Sequence, residues 1–336
     1  MKVLITGASG FIGGHLVREA LRRGYDTWAG IRSGSSLDGL TDNRIRFINL
    51  QYGNREALCR QLREAAAEEG PWDYVVHNAG ITKTCRPADF MRINAGLTAD
   101  FAEALSDSGC MPARFALMSS LGAYGPGNPR TMAPIKSDDP QRPDSLYGRS
   151  KKEAERLLAQ AANFPCTVFY PTGVYGPGDR DYYEEVRSIS QGFDFTAGLR
   201  PQRISFIYVT DLARAVFMAL ESEASAGKRY LVSDGTSRTD AEFADLIRDI
   251  LGKKHLMRVR MPLGIVRLAC LLSELSGRIR KQAATLNSDK YLILRGRNWT
   301  CDSSAISADT GFVPAYDLRK GLEETIAWYR AQGWLR

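Results

Sequence analysis

Histidine is scarce in this chain, three residues in 336, and the six cysteines (Cys59, Cys85, Cys110, Cys166, Cys270, Cys301) stand apart with no C-x-x-C pair among them. Little is therefore available from which to build a zinc centre or a disulfide framework. Long hydrophobic runs are also missing: no stretch of about 18 uninterrupted apolar residues occurs. Glycines interrupt the opening "MKVLITGASG", where a secretory leader would need a long apolar segment. These features lead us to expect a soluble cytoplasmic protein with no stable membrane insertion. Blocks of like charge are absent too, because the formal charge of +7 comes from basic residues interleaved with acids, as in "CRQLREAAAEEG". Nucleic-acid binding is disfavoured by that mixing, whereas a mild positive excess suits a phosphorylated small molecule.

What is present is an alternation. A chain of 336 residues, 44% apolar and 25% charged, can form one large α/β domain with a smaller appendage. Its first third runs "KVLIT", "FIGGHLVREALRRG", "DTWAGIR", "RIRFINL", "NREALCRQLREAAAE" and "DYVVHNAG". Strands that are apolar throughout, alternating with helices of period near 3.6, predict a parallel sheet covered on both faces. "ADFMRINAGLTADFAEALSDSG", "ARFALMSS", a helix over 145–162 and "CTVFYPTG" extend the series to six or seven strands. The expected fold is α/β, a Rossmann-type doubly wound parallel sheet with ligands at the carboxyl ends of its strands, plus a smaller, mostly C-terminal substrate-binding lobe.

After "VYGPGDRD" the pattern loosens into a helix near 181–191, a strand "RISFIYV", a helix from "TDLARAVFMALE" and a strand "KRYLVS". The expected division is a dinucleotide-binding domain over 1–175 and a mainly substrate-binding lobe over 176–336, with segments near 203–235 returning to the first domain. The late apolar stretch "MPLGIVRLACLLSELSGRIRK" is expected to form a core or pocket-lining helix, with a lipid-facing surface as the alternative.

In "VLITGASGFIGGHL", Gly7, Gly10 and Gly13 directly follow the first strand and open a helix. Glycines there permit a tight turn and let the backbone approach a pyrophosphate, whose charge is favoured by free N–H groups at the helix start. About twenty residues further on, folds that select NAD offer an acid to the ribose 2′-hydroxyl. This chain reads "GIRSGSS" there, with Arg32, Ser33, Ser35 and Ser36 in place of the acid. A guanidinium and hydroxyls suit a 2′-phosphate, so NADP(H) is favoured and NAD(H) remains possible; the alternative for Arg32 is a solvated loop charge. Gln51, at the end of the third strand, offers an amide to the adenine edge or is a polar loop residue.

Tyr147 precedes Lys151 by four residues in "SLYGRSKKEAE". Bringing a phenol from about 10 to about 7 requires about 4 kcal/mol of preference for the phenolate. One ammonium at roughly 4 Å, with an effective dielectric near 20, supplies about 4 kcal/mol before desolvation is subtracted. The spacing therefore predicts that Lys151 makes Tyr147 usable as an acid–base group.

Taken together, "TGASGFIG", "HNAG" ending at Gly80, "MSSLGAYG" at 118–125, "YGRSK" at 147–151, "YPTGVYGPGD" at 170–179, "FIYVTDLARA" at 206–215 and the tail "ADTGFVPAYDLRKGLEETIAWYRAQGWL" give a chain that resembles the extended short-chain dehydrogenases/reductases over nearly its whole length. The resemblance implies that Ser120, with Ser119 its easily confused neighbour, polarises the substrate oxygen while Tyr147 moves the proton and Lys151 holds the nicotinamide ribose. It implies a cofactor-binding set of Gly7, Ser9, Gly10, Phe11, Ile12, Gly13, Arg32, Ser33, Gln51, Asn78, Ala79, Gly80, Tyr147, Lys151 and Pro171. The substrate-facing set is Thr82, Ser120, Tyr147 and Gly173, with Asn94 as a structural or water-relay position and no metal. A homodimer through the helices bearing Asn94 and Tyr147 is a further implication.

The substrate divides the family. Nucleotide-sugar epimerases and dehydratases tend to carry an acid after the second strand, an asparagine in the "NVYGP"-like loop and an arginine five residues before the "V" of "V-x-D"; this chain has Ile31–Arg32, Gly173 and Ile204 there, with Arg203 one position off. "YPTGVYGPGD" is instead similar to the 3β-hydroxysteroid dehydrogenase and dihydroflavonol reductase branch, except that Tyr170 replaces an arginine. That similarity leads us to expect an NADP(H)-dependent alcohol dehydrogenase or ketone reductase for a hydrophobic, steroid-like small molecule. The alternatives are a nucleotide-sugar epimerase or dehydratase with bound NAD, and a non-catalytic dinucleotide sensor.

Overall fold

Val3, Leu4 and Ile5 are wholly buried, as a strand sandwiched between helices requires. In the computed structural model, which describes residues 1–160, 166–280, 284 and 286–335, they belong to β1 (Lys2–Thr6). The next strands are β2 (Asp26–Ile31), β3 (Arg46–Asn49), β4 (Tyr74–His77), β5 (Arg114–Met118) and β6 (Cys166–Pro171). Shorter ones follow: β7 (Gly173–Tyr175), β8 (Phe193–Ala197), β9 (Arg203–Ile204), β10 (Phe206–Tyr208), β11 (Arg229–Val232), β12 (Arg238–Thr239), β13 (Met257–Met261) and β14 (Asn298–Trp299). The α-helices are α1 (Phe11–Arg22), α2 (Arg55–Glu69), α3 (Leu97–Asp107), α4 (Leu146–Gln160), α5 (Asp181–Ser190), α6 (Val209–Glu221), α7 (Asp240–Ile250), α8 (Leu263–Arg280), α9 (Ser288–Arg295), α10 (Ser304–Thr310) and α11 (Leu318–Ala331).

The main sheet has seven parallel strands in the order β11-β6-β5-β4-β1-β2-β3. One face is covered through Leu16, Val17 and Ala20 of α1 with Leu212 and Val216 of α6; the other through Leu58 and Leu62 of α2, Phe101 and Leu105 of α3, and Leu158 of α4. This is a Rossmann-type doubly wound α/β fold. The strand order reverses between β1 and β4, and a ligand crevice forms outside the carboxyl ends at such a reversal. A third core, built from Val186, Ile189, Phe206, Phe243, Ile247, Leu322 and Ile326, holds the smaller lobe together.

Local signals explain several boundaries. Asn54 accepts from the Ala57 N–H to start α2, and Thr239 with Glu242 forms a capping box for α7. The helix expected over 145–162 is observed as Leu146–Gln160, residues 161–162 lying outside the described residues. Two expectations need correction. "RISFIYV" breaks into β9 and β10 because Ser205 turns away between them, its N–H bonded to Trp299 O and its hydroxyl to Thr236 O. The late apolar helix, α8, is not a core element over most of its circumference: Val266 and Cys270 are buried, but five large aliphatic side chains face solvent. Lys281 of that stretch lies outside the described residues.

Candidate active site

A cleft of about 1810 Å³ runs from the β1–α1 turn past Ser120, Tyr147 and Lys151 into the smaller lobe. At its first end Gly7 has φ +65°, and a Cβ on it would lie 2.9 Å from the Ala79 backbone. On Gly13 a Cβ would lie 2.0 Å from Gly7 O, so only glycine lets α1 pack onto the turn. Gly10 begins α1 with no side-chain cap, leaving the N–H groups of the first turn for an anion. These residues fit a dinucleotide pyrophosphate. Ser9, Phe11 and Ile12 line the same end, as do Asn78, Ala79 and Gly80, while Arg32, Ser35 and Ser36 line it beyond β2. Ser33 and Gln51 are not part of the wall; the Gln51 N–H bonds Gln61 Oε1. Arg18, on α1 one turn after Gly14, lines this end too, and no sequence reasoning singled it out. Its i,i+4 spacing from the glycine turn was the available signal.

The catalytic candidates converge from β5 and α4. Ser120, two residues past the end of β5, is in extended conformation, its Oγ accepting from the Gly122 N–H at 3.1 Å. A Cβ on Gly122 would lie 3.3 Å from that Oγ and 3.6 Å from the Tyr147 ring, so the missing side chain lets serine and tyrosine meet. Ser120 stands beside the Tyr147 phenol and acts to lower its pKa. Ser119 points elsewhere: its hydroxyl donates to Glu155 Oε1 at 2.5 Å. The second Glu155 oxygen accepts from Tyr170 at 2.6 Å and from Gln141 at 2.8 Å. Tyr170, where the related branch carries arginine, is thus a core partner of a buried carboxylate.

Lys151 is buried and donates to Met118 O at 2.9 Å, close enough to the Asn78–Gly80 turn that a Cβ on Gly80 would lie 3.2 Å from its Nζ. Burial pushes its pKa down to about 8, against the nearby Glu155 charge, so it stays a cation at neutral pH. The expected lowering of Tyr147 by Lys151 is corrected here. Burial raises the phenol above its usual value, with Ser120 opposing and the Asp181 charge adding to the rise. The ammonium is engaged by a carbonyl, and the ring lies against Phe90 at 6.2 Å. Tyr147 is therefore a protonated donor in this site. Asn94, in a π-helical turn (Phe90–Gly96), is fully employed in structure: it bonds the Ile81 N–H and carbonyl at 2.8 and 3.0 Å and Ser150 Oγ at 3.0 Å.

Asp289 of α9 was not visible from sequence. Its carboxylate accepts from the Leu146 N–H and, at 3.2 Å, from the Tyr147 N–H, clamping the first turn of the catalytic helix. Asp289→Ala should cost about 0.5–2 kcal/mol of stability through the lost cap and lower kcat by loosening Tyr147. Thermal unfolding and kcat measured together check this; no change in either would show that the clamp is idle.

The far half of the cleft is rich in acids. Asp181, Glu184, Glu185, Asp194, Asp240 and Asp289 all line it. Glu185 is pushed up to about 8 by burial, with Asp194 and Asp240 adding and Lys290 opposing. Because its folded value exceeds the unfolded one near 4.5, the folded chain holds this proton and loses stability as pH rises from 4.5 to about 8. Glu185→Gln should therefore gain on the native protein by at most about 1.4 kcal/mol per pH unit across that window. Urea unfolding at the two ends of the window checks it: an equal difference at both ends contradicts a protonated Glu185. Aromatic and aliphatic groups share this wall, among them Phe193, Phe195, Phe206, Phe243, Ile293 and Trp299; Thr82, Pro171 and Gly173 line the cleft as well. A Cβ on Gly173 would lie 2.2 Å from the Tyr182 hydroxyl, so Tyr182 occupies the space a side chain would need.

A glycine turn at the head of a doubly wound sheet, with Ser120, Tyr147 and Lys151 gathered in the cleft it opens, defines a dinucleotide-binding oxidoreductase of the short-chain type. The family model described as the NAD dependent epimerase/dehydratase family matches residues 3–233, and the chain belongs to that family. It is 28% identical over 338 residues to a ceramide reductase of Caulobacter vibrioides, covering 99% of this chain and 96% of that one. It is 25% identical over 337 residues to a UDP-glucose 4-epimerase of Vibrio cholerae, covering 96% and 94%. A dTDP-glucose 4,6-dehydratase from Bacillus anthracis, solved in complex with NAD, shares the fold with a TM-score of 0.76 at 18% identity, covering 100% of this chain and 98% of that one.

Proposed function

We propose that this enzyme is an NADP(H)-linked oxidoreductase that interconverts a secondary alcohol and a ketone on a hydrophobic substrate, with Ser120, Tyr147 and Lys151 acting together. The observation that carries the reading is the apolar wall of the far half of the cleft, built from Phe193, Phe195, Phe206, Phe243, Ile293 and Trp299. The acids beside it present little net charge, because Glu185 holds its proton and Glu184, Asp194 and Asp240 are paired with Arg187, Arg258 and Arg260. A hydrophobic molecule gains from the aromatic wall. Tyr182, filling the space beside Gly173, leaves no room for the asparagine that nucleotide-sugar enzymes tend to carry there. The similarity to a ceramide reductase agrees with a lipophilic substrate, while the similarity to a UDP-glucose 4-epimerase sustains the sugar-nucleotide reading as the second one.

Gly7, Gly10, Gly13 and the first turn of α1 would hold the pyrophosphate of the dinucleotide, and Arg32, with Ser35 and Ser36, its 2′-phosphate. The bound dinucleotide supplies or accepts a hydride. Tyr147 donates its proton to the carbonyl oxygen during reduction, Ser120 orients that oxygen and steadies the phenolate, and Lys151 would hold the nicotinamide ribose. Residues 1–175 would bind the cofactor, and most of 176–336 would form the substrate wall.

Incubating the protein with NADPH or NADH and a panel of lipid ketones, ketosteroids and UDP- or dTDP-sugars tests this. Cofactor consumption with a hydrophobic ketone is expected; conversion of a sugar nucleotide without net consumption would overturn it. Arg32→Asp should move the preference from NADPH toward NADH by about tenfold or more, the scale of a lost charge-assisted hydrogen bond. An unchanged ratio of kcat/KM values for the two cofactors would remove Arg32 from the 2′-phosphate.

A further inference from the structure

The helix α8 shows its wide apolar side to solvent. Val266 and Cys270 pack inward, whereas Ile265, Leu268, Leu271, Leu272 and Leu275 are between 48% and 59% exposed. Their spacing puts all five on one arc of the helix, the arc a helix of a water-soluble domain normally turns to its core. The apolar surface extends beyond α8. Leu199, 68% exposed, follows Gly198, whose Cα region lies against Leu263 at the start of the helix. The register of β8 with β13 sets Phe193 beside Met257, and Phe193, Phe195 and Met257 are all exposed on one face of that pair. The two phenylalanines, stacked at 5.9 Å, also line the catalytic cleft, so the exposed surface runs to its mouth.

Cations border this surface. Lys253 and Lys254 lie in the turn before β13, Arg200 follows Leu199, and Arg267 stands within α8; all four are exposed, and none is in an ion pair among the described residues. No helix of the described residues is long and apolar enough to cross a membrane. An apolar helix face edged by unpaired lysine and arginine is what a helix lying in a lipid interface presents. A second copy of the chain is a poorer partner, because a two-fold contact would bring identical cationic rims together. An anionic bilayer accepts both the leucines and the cations.

We propose that this face docks on the surface of an anionic lipid bilayer, the α8 leucines entering the acyl boundary, the lysines and arginines meeting the head groups, and the cleft mouth turned toward the lipid. The docking stands whichever substrate the cleft takes. Sedimentation of the full chain with vesicles of phosphatidylcholine, alone or mixed with phosphatidylglycerol, tests it. Binding to the mixed vesicles is expected, weakening as salt rises. Leu268→Glu with Leu272→Glu should lower vesicle affinity at least about tenfold, and Lys253→Glu with Lys254→Glu about tenfold at low salt. Both pairs should keep the native unfolding temperature and dinucleotide affinity, since these residues are exposed and outside the cleft wall. Failure of the native chain to bind either vesicle, or unchanged binding after the leucine substitutions, would overturn the proposal. So would a dimer that dissociates on those substitutions and never binds vesicles, which would assign the face to a second copy.

Discussion

Tyr147→Phe should lower kcat by about 10²–10⁴-fold, the range of a lost general acid, while dinucleotide affinity changes less than about twofold. The substitution removes one hydroxyl and keeps the ring, so the contact with Phe90 survives. Lys151 should stay seated as well, because its bond goes to the Met118 carbonyl and not to the phenol. The loss should therefore fall on kcat, with little change in the binding of either partner. Burial favours the protonated phenol, which suits donation to a carbonyl and requires the phenolate to be steadied as it forms, the work assigned to Ser120. Steady-state kinetics together with a fluorescence titration of NADPH measures both quantities. A variant that turns over at the native rate would remove Tyr147 from the chemistry.

Gly13→Ala should damage both stability and cofactor binding. Its Cβ would lie 2.0 Å from Gly7 O and 2.8 Å from Ala8 Cα, and both are backbone atoms that cannot rotate aside. Either α1 must lift or the turn must open, and each displaces the helix start that would hold the pyrophosphate. Overpacking of this kind costs about 1–3 kcal/mol, and the same displacement applied to binding weakens it by about tenfold to a hundredfold. Gly14→Ala is the internal control. Its Cβ meets nothing nearer than Arg18 Nη1 at 3.7 Å, so helix propensity should raise stability by up to about 1 kcal/mol. Urea unfolding and cofactor titration of the two variants separate the cases; a Gly13→Ala protein that binds NADPH normally would mean the turn is not a pyrophosphate cradle.

The sheet was legible because a strand buried on both faces must be apolar at every position, as "VLI" in β1 and "YVV" in β4 are. The glycine turn was legible because each of its glycines answers a local steric demand. Contacts between distant segments were not. Asp289 reaches Tyr147 across 142 residues, and Glu185, Asp194 and Asp240 come from three separate elements, so no window of sequence shows them together. The roles of Ser119 and Ser120 depend on which side of the extended chain each faces, and only the position of Glu155 decides it. The Tyr–Lys spacing correctly placed both residues on α4 but misjudged the balance: burial raises the phenol, opposed by Ser120, while the Lys151 ammonium is engaged by the Met118 carbonyl. For α8, the sequence period revealed an apolar arc but not what lies opposite it, and the expected core turned out to be solvent.

The proton from Tyr147 has a purpose only if hydride arrives at the carbon whose oxygen receives it. NADPH carrying deuterium at the transferable position of its nicotinamide, mixed with a hydrophobic ketone, reports this directly. Deuterium should appear on the carbinol carbon of the product, one atom for each cofactor oxidised, and the label should not be transferred by Tyr147→Phe. Product alcohol without the label, or a sugar nucleotide converted with the label retained on the enzyme and no net cofactor use, would contradict a ketone reductase.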